Sequence, residues 1–312
     1  MNSTGSNQTI SVLIPTFNGE KTLEDLFITL GSQTLQPLEV LVADSSSVDG
    51  TVAICEKYGA KIVSILKSDF DHGGTRTYLA KQALGDILVF FTQDATLVTR
   101  NALSLLLKPL IEDDSCASSF GRQLPRPDAN WHAAHLRRFN YPEESYIRTY
   151  SERNRYGLRT IFTSNSFAAY KKERLSEVDY FKNGLIFGED TCTVGRIIQA
   201  GYTHAYVGDA EVYHSHNYSL VEEFRRSFDI GVLHSSEKWL LNTFGTAENI
   251  GFKYAQSAIK QMAAERRYLF VLSFSVRTGL KFFGYKLGRV YKKLPLYLRP
   301  VLSMNSSWWH KK

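Results

Sequence analysis

Short apolar runs alternate with amphipathic stretches from the start of the chain, and the order repeats. Thr9 to Pro15 predicts a buried strand, and from Glu20 the spacing of Leu23, Leu26 and Leu30 predicts a helix. Leu38 to Ala43 predicts the next strand, Asp49-Gly50-Thr51 opens a helix through Val52, Ile54 and Cys55, and Lys61 to Leu66 predicts a third strand. A helix from Thr75 to Leu84 then leads into Asp86 to Thr92, whose core Ile87-Leu88-Val89-Phe90-Phe91 is apolar throughout. This βαβα order predicts an α/β domain with a mostly parallel sheet and helices on both faces.

The pattern breaks near Ser118. Pro125, Pro127 and Pro142, many aromatic residues and an arginine-rich run from Arg148 to Arg159 predict long binding loops or lids. Order returns at Ser166 to Tyr170, followed by a helix from Asp190 to Ala200 and short strands at Tyr202 to Val207 and Ala210 to His214. Beyond these the pattern is helical. At about 100° per residue, Leu280, Phe283, Leu287, Val290, Tyr291 and Leu294 share one face, and Arg277, Lys281, Lys286, Arg289, Lys292 and Lys293 the other. Gly279, Gly284 and Gly288 each weaken an isolated helix by ~1 kcal/mol, so this one is expected to form only when docked. The expected organisation is a polar tail at 1–8, an α/β domain at 9–218 and a helical extension at 219–312.

Charge changes the reading of that extension. The net charge of +6 conceals a segregation: from Gly251 onward, 13 Lys and Arg face the single acid Glu265. Such a segment suits an anionic partner, and its continuous apolar face suits a lipid surface better than nucleic acid. The closing Trp308-Trp309-His310-Lys311-Lys312 has the aromatic and basic character of a headgroup boundary. The longest apolar run near the C-terminus, Tyr268 to Val276, falls far short of the ~20 residues a spanning helix needs. Cys55, Cys116 and Cys192 are scattered, which argues against a disulfide framework or a zinc site. With no signal-peptide pattern at the start, the expected location is the cytoplasm, on the inner face of the membrane.

Candidate chemistry gathers where strands end. Thr92-Gln93-Asp94-Ala95 leaves one carboxylate after a buried strand, the position where an α/β sheet holds a diphosphate and its metal. Pro15-Thr16-Phe17-Asn18-Gly19 ends the first strand, and Asp44 ends the second, where its carboxylate can accept a pyrimidine imide N–H. Asp71-His72-Gly73-Gly74-Thr75-Arg76 offers glycines for close backbone approach and a guanidinium for phosphate, although neither a Walker loop nor GxGxxG occurs. Gly188-Glu189-Asp190-Thr191 puts two acids at a helix start, one free to act as a general base and the other as a cap. His214 and His216 are two residues apart, so in an extended strand they point to one face, as metal ligands or phosphate contacts do.

Taken in order, these segments resemble the family 2 glycosyltransferases, inverting enzymes of the GT-A fold that use nucleotide sugars. The Asp71 to Arg76 segment with Gln93-Asp94-Ala95 looks like the branch that transfers L-rhamnose from dTDP-L-rhamnose in bacterial surface polysaccharide synthesis. The resemblance implies that Thr16 and Asp44 hold base and ribose, with Pro15, Asn18, His72, Gly73 and Gln93 also lining the donor site. It further implies Arg76 on the diphosphate, Asp94 and His214 on Mg²⁺ or Mn²⁺, and Asp190 as base, with Glu189 and His216 supporting the acceptor. The acceptor is then a polyprenyl-pyrophosphate-linked glycan, and self-association is left open. Two departures stand out: Gln93 occupies the first acidic position of the usual DxD motif, and Ser45 stands where many relatives carry a second acid. The alternatives are a UDP-sugar donor such as galactofuranose, hexose or N-acetylhexosamine, and a non-catalytic nucleotide- or nucleic-acid-binding module.

Overall fold

The computed structural model describes residues 8–246 and 248–311, so the expected polar tail at 1–8 lies almost wholly outside the described residues. One sheet organises the chain, built from β1 (Ile10–Thr16), β2 (Glu39–Asp44), β3 (Lys61–Ser64), β4 (Ile87–Phe91), β5 (Thr96–Leu97), β6 (Cys116–Leu124), β7 (Tyr146–Arg148), β8 (Phe167–Lys171) and β9 (Thr203–Tyr213). Its order is β3-β2-β1-β4-β8-β6-β9-β5, with β7 paired to β9. Strands β1 to β4 are parallel, with Thr16 opposite Asp44, as the repeating βα pattern requires. Strand β8 runs antiparallel between β4 and β6, and β6 pairs parallel with β9, so the sheet is mixed where a mostly parallel one is expected. The polarity has a consequence for function. The ends of β1, β2, β4, β6 and β9 and the start of β8 all lie on one edge.

Alternate side chains of each strand feed two cores. Leu13, Leu41, Phe90 and Tyr170 face one side of the sheet, and Val12, Val42, Val89 and Phe167 the other. The stretch expected to be loops holds regular structure. Strand β6 and the helix Trp131–Asn140 lie inside it, and the helix Ala102–Glu112 precedes it. The two short strands expected at 202–207 and 210–214 form the single strand β9, whose pairing with β6 shifts register between Gly121 and Arg122.

The extension is docked on this core. Ser219 and Glu222 form a capping box that starts the helix Leu220–Ser236, and Phe228, Val232, Leu233, Leu240 and Phe244 join the same core as β4 and β8. The helix Tyr268–Arg289 crosses it at glycines: a Cβ on Gly288 would lie 2.0 Å from the Phe228 carbonyl oxygen, and one on Gly284 2.6 Å from that of Phe224. Missing side chains are therefore what bring the two backbones together. Arg277 and Lys281, expected on a polar outer face, turn inward onto Glu223 at 3.2 and 3.3 Å, while Phe282 and Phe283 stay exposed. The closing tryptophans also point inward, correcting the headgroup-boundary expectation. Trp308 is buried and its indole N–H donates to the Gly184 carbonyl at 3.1 Å, and Trp309 packs on Tyr291 and Phe228.

Candidate active site

The shared sheet edge opens into a cavity of about 730 Å³. Asp94, just past β4, and His214, just past β9, meet there because the sheet places both strand ends on this side. His214 Nε2 lies 3.4 Å and His216 Nε2 3.7 Å from Asp94 Oδ2, and the candidate ligand atoms of all three residues fall within 4.8 Å of one another. The His214 Nδ1–H donates to Gln123 Oε1 at 2.9 Å, which turns Nε2 toward the carboxylate. Burial raises the pKa of Asp94, but the hydrogen bond and charge of His214 outweigh it and hold the carboxyl well below its usual range. Burial, and next the charge of His214, lowers His216 to about 4, leaving a neutral imidazole. One carboxylate and two imidazoles fit a divalent first-row ion and leave coordination positions for phosphate oxygens. His214, expected on the metal, and His216, expected at the acceptor, thus meet at one carboxylate. Their two-residue spacing was the signal that both would arrive together.

The second cluster sits at the start of the helix Glu189–Gln199. Gly188 caps it at φ +79°, and a Cβ there would lie 2.5 Å from Leu233 Cδ2, so glycine is needed twice over. Glu189 is buried and pairs with Arg76 at 3.0 Å. Burial opposes its charge, but Arg76 and then His72 keep its pKa below the usual value. Asp190 accepts from the Thr191 N–H at 2.7 Å and the Asn165 N–H at 3.3 Å, and among the described residues no cation forms an ion pair with it. Burial, and next the negative Glu189, pushes its pKa up to about 6. That is the range of a working general base.

Several expected donor contacts are engaged within the protein. Arg76, expected on the diphosphate, is almost fully buried against Glu189. Gln93 neither ligates nor points to open space: its Oε1 accepts from the Phe17 N–H at 2.9 Å and its Nε2 donates to the Phe17 carbonyl at 3.1 Å. Gly73, expected beside phosphate, packs on protein, since a Cβ there would lie 2.0 Å from the Lys182 carbonyl oxygen. His72, next to it, lines the cavity. Thr16 donates to Asp44 Oδ1 at 3.3 Å, and Ser47 N–H donates to Asp44 Oδ2 at 2.9 Å. Pro15, the residue before Thr16, pairs with Ala43 across β1 and β2. Asn18, at φ +47°, accepts from the Val48 N–H at 3.0 Å. These contacts stitch the loops after β1 and β2 into one cradle beside Asp94.

Residues from the extension complete the cavity wall, among them Arg226, Ile230 and Asn305. Arg226 lies 4.2 Å over the Phe187 ring, in the segment leading to Asp190. The family profile described as Glycosyl transferase family 2 matches residues 11–179, more than half of the chain. The chain belongs to glycosyltransferase family 2. This family 2 enzyme is 39% identical over 302 residues to the O-antigen chain rhamnosyltransferase WbaN of Salmonella anatum, covering 96% of this chain and 95% of that protein. RfbN of Salmonella typhimurium, also named an O-antigen chain rhamnosyltransferase, is 38% identical over 303 residues, with 96% of each protein covered. The mannosyltransferase PcManGT of Pyrobaculum calidifontis, solved with GDP-Man and Mn²⁺, has a TM-score of 0.63 at 17% identity, covering 92% of this chain and 88% of its own. TarS residues 1–349 of S. aureus, solved with UDP-GlcNAc, gives 0.55 at 18% identity, covering 97% and 88%. These structures share the GT-A-like fold of the family 2 enzyme.

Proposed function

We propose that this enzyme transfers L-rhamnose from dTDP-L-rhamnose to a lipid-linked glycan of bacterial surface polysaccharide, with inversion at the anomeric carbon. The donor sugar is supported by the near full-length likeness to two O-antigen rhamnosyltransferases. The displacement is supported by one observation, the state of the cavity's acids. Glu189 is neutralised by Arg76, Glu223 is held by Arg277 and Lys281, and Asp94 faces two histidines, which among the described residues leaves Asp190 as the cavity's carboxylate without an ion pair. Asp190 takes the proton of the acceptor hydroxyl as its oxygen bonds to the anomeric carbon and the bond to the diphosphate breaks. One such carboxylate serves a single displacement, whereas retention by double displacement needs a second as nucleophile. With Arg76 held by Glu189 and Lys281 by Glu223, Arg137 and Arg226 are, among the described residues, the cavity's arginines left to face the departing nucleoside diphosphate. A divalent ion, Mg²⁺ or Mn²⁺, held by Asp94, His214 and His216 supplies further positive charge there when bound.

The acceptor's lipid places the work at a membrane surface. Among the described residues no helix is long and apolar enough to cross a membrane. Tyr268, Phe270 and Leu272 are nevertheless exposed at the start of the helix Tyr268–Arg289, beside Arg266 and Arg267, and that pairing of apolar and basic side chains supports peripheral contact with an anionic leaflet. A donor panel tests the reading: release of dTDP from dTDP-L-rhamnose, with UDP-galactofuranose, UDP-hexoses and UDP-N-acetylhexosamines left intact, is the expected result. Faster release from a UDP-sugar overturns the rhamnose assignment. Salt-sensitive DNA binding with no turnover overturns the enzyme.

A further inference from the structure

The arginine-rich run that the catalytic cavity leaves unused builds a cavity of its own, of about 450 Å³. Arg153, Arg155 and Arg159 reach it from the short helical turns Arg153–Tyr156 and Gly157–Ile161, and Lys253 reaches it from the helix Glu248–Ala264. Among the described residues no acidic side chain lines it. The nearby Glu152 is already taken, by Arg148 at 3.8 Å and by the Thr149 N–H at 2.9 Å.

Arg159 is the most exacting of the four cations. It is half-buried, with its guanidinium 4.7 Å from the Phe139 ring and a long 3.5 Å hydrogen bond to Asn140 Oδ1 as its polar contact. A cation withdrawn from water is ordinarily compensated by an opposite charge, and a ring and an amide oxygen compensate it poorly. Three guanidiniums and an ammonium around one hollow suit a ligand rich in anionic oxygens, with the planar forks of arginine matched to phosphate.

The surroundings narrow the ligand further. Asn140, which receives the Arg159 hydrogen bond, lines the catalytic cavity, so one hydrogen bond links the walls of the two hollows. On the outer side, the helix that supplies Lys253 exposes Phe252 and Ile259. The cavity that holds Asp190, the cationic hollow joined to it through Asn140, and the exposed apolar side chains of the helix that supplies Lys253 follow in that order, matching the sugar, diphosphate and hydrocarbon of a lipid-linked glycan. We propose that this basic cavity binds the diphosphate of a polyprenyl-diphosphate-linked acceptor, an inference that rests on the acceptor class proposed above.

Geranyl diphosphate, a lipid diphosphate without sugar, is the probe. Titrated calorimetrically in the absence of metal, it is expected to bind the wild-type protein and to bind Arg159→Gln at least tenfold more weakly. The double variant Arg155→Gln/Lys253→Gln alters two exposed side chains, which keeps folding out of the comparison, and should show a similar loss. Asp94→Ala should bind the probe as the wild type does. Unchanged affinity in the double variant, or loss in Asp94→Ala, overturns the proposal. Phosphatidylglycerol vesicles separate the other source of lipid phosphate: a double variant that loses vesicle binding yet keeps geranyl diphosphate affinity means that the cavity reads bilayer headgroups, and the acceptor assignment falls. In turnover, the double variant should raise KM for a short-chain diphosphate-linked acceptor at least tenfold, leaving kcat and the KM for an alkyl glycoside of the same sugar unchanged. Equal KM values for the two acceptors in the wild type also overturn it. Arg159-dependent probe binding in a protein that glycosylates no lipid diphosphate leaves this site standing and overturns the acceptor class instead.

Discussion

The role proposed for Asp190 as general base ties rate to pH in a way that can be worked out from its surroundings. With a pKa near 6, roughly nine-tenths of the carboxylate is ionised at pH 7 and about one-tenth at pH 5, so kcat should fall about tenfold between them. A carboxylate at the ordinary 3.8 would leave the rate almost flat over the same range. The groups facing it are Glu189, which raises its pKa, and Arg76, which lowers it. Glu189→Gln removes the negative neighbour and frees Arg76, and both changes favour the ionised form. The acid limb should therefore move below 6. The assay is the initial rate of nucleoside diphosphate release at saturating donor and acceptor, followed from pH 4.5 to 8. A second readout comes from stability. Because the folded-state pKa lies above the unfolded one, the group's favourable contribution is complete below about 3.8 and is lost as pH rises through about 6. The ionised form at neutral pH then costs on the order of 3 kcal/mol. Asp190→Asn should accordingly lower turnover about 10²-fold or more while leaving the protein at least as stable at pH 7.5. A flat profile down to pH 5, or a limb that stays put in Glu189→Gln, refutes the assignment of Asp190 as base.

Three further expectations follow from the packing and the metal group. Asp94→Ala should abolish Mn²⁺ binding measured by calorimetry and weaken Mn²⁺-dependent dTDP binding, and unchanged binding removes Asp94 as a ligand. Gly288→Ala drives a methyl against the Phe228 carbonyl, so the helix Tyr268–Arg289 must shift, at a cost of roughly 1–3 kcal/mol in urea denaturation; a change within about 0.5 kcal/mol would mean that the helix is not docked as described. Replacing Phe270 and Leu272 with serine should reduce flotation with anionic vesicles while leaving turnover on a water-soluble acceptor intact, and unaltered flotation would place the membrane contact elsewhere.

The first half of the fold was legible because β1, β2 and β4 are buried strands with helices between them, and burial on both faces writes apolar runs into the sequence, while the exposed edge strand β3 follows from the repeat. Strand β6 was not legible, because its polar residues are spent inside. Ser119 donates to the Leu106 carbonyl, Gln123 holds His214 and Ser164, and Arg122 pairs with Glu211 and Glu143, so neither alternation nor an apolar run shows. The helix Tyr268–Arg289 was read as two-faced, but its buried edge is marked by glycines, which carry no hydrophobic signal. At the site, Asp94, His214 and Asp190 stood out as chemistry at strand and helix ends, and the structure brings all three to one cavity. Arg76 did not reveal its commitment, because its partner Glu189 is far away in sequence and only the sheet order brings them together. Gln93 looked like a weakened metal ligand, yet its amide matches both backbone groups of Phe17, which a carboxylate cannot do.

Buried Asp229 links the extension to time as well as to space. Its carboxylate accepts from the Ser303 hydroxyl at 2.7 Å and from the backbone N–H groups of Met304 and Asn305 at 3.1 Å each, and Met304 and Asn305 line the catalytic cavity. During synthesis the sheet edge with Asp94 and Asp190 emerges long before those residues do. A nascent chain therefore carries its chemical groups early, but the cavity wall stays open until Asn305 has left the ribosome and found Asp229. A chain cut short before these residues therefore lacks that part of the cavity wall, and Asp229 loses the three groups that it holds.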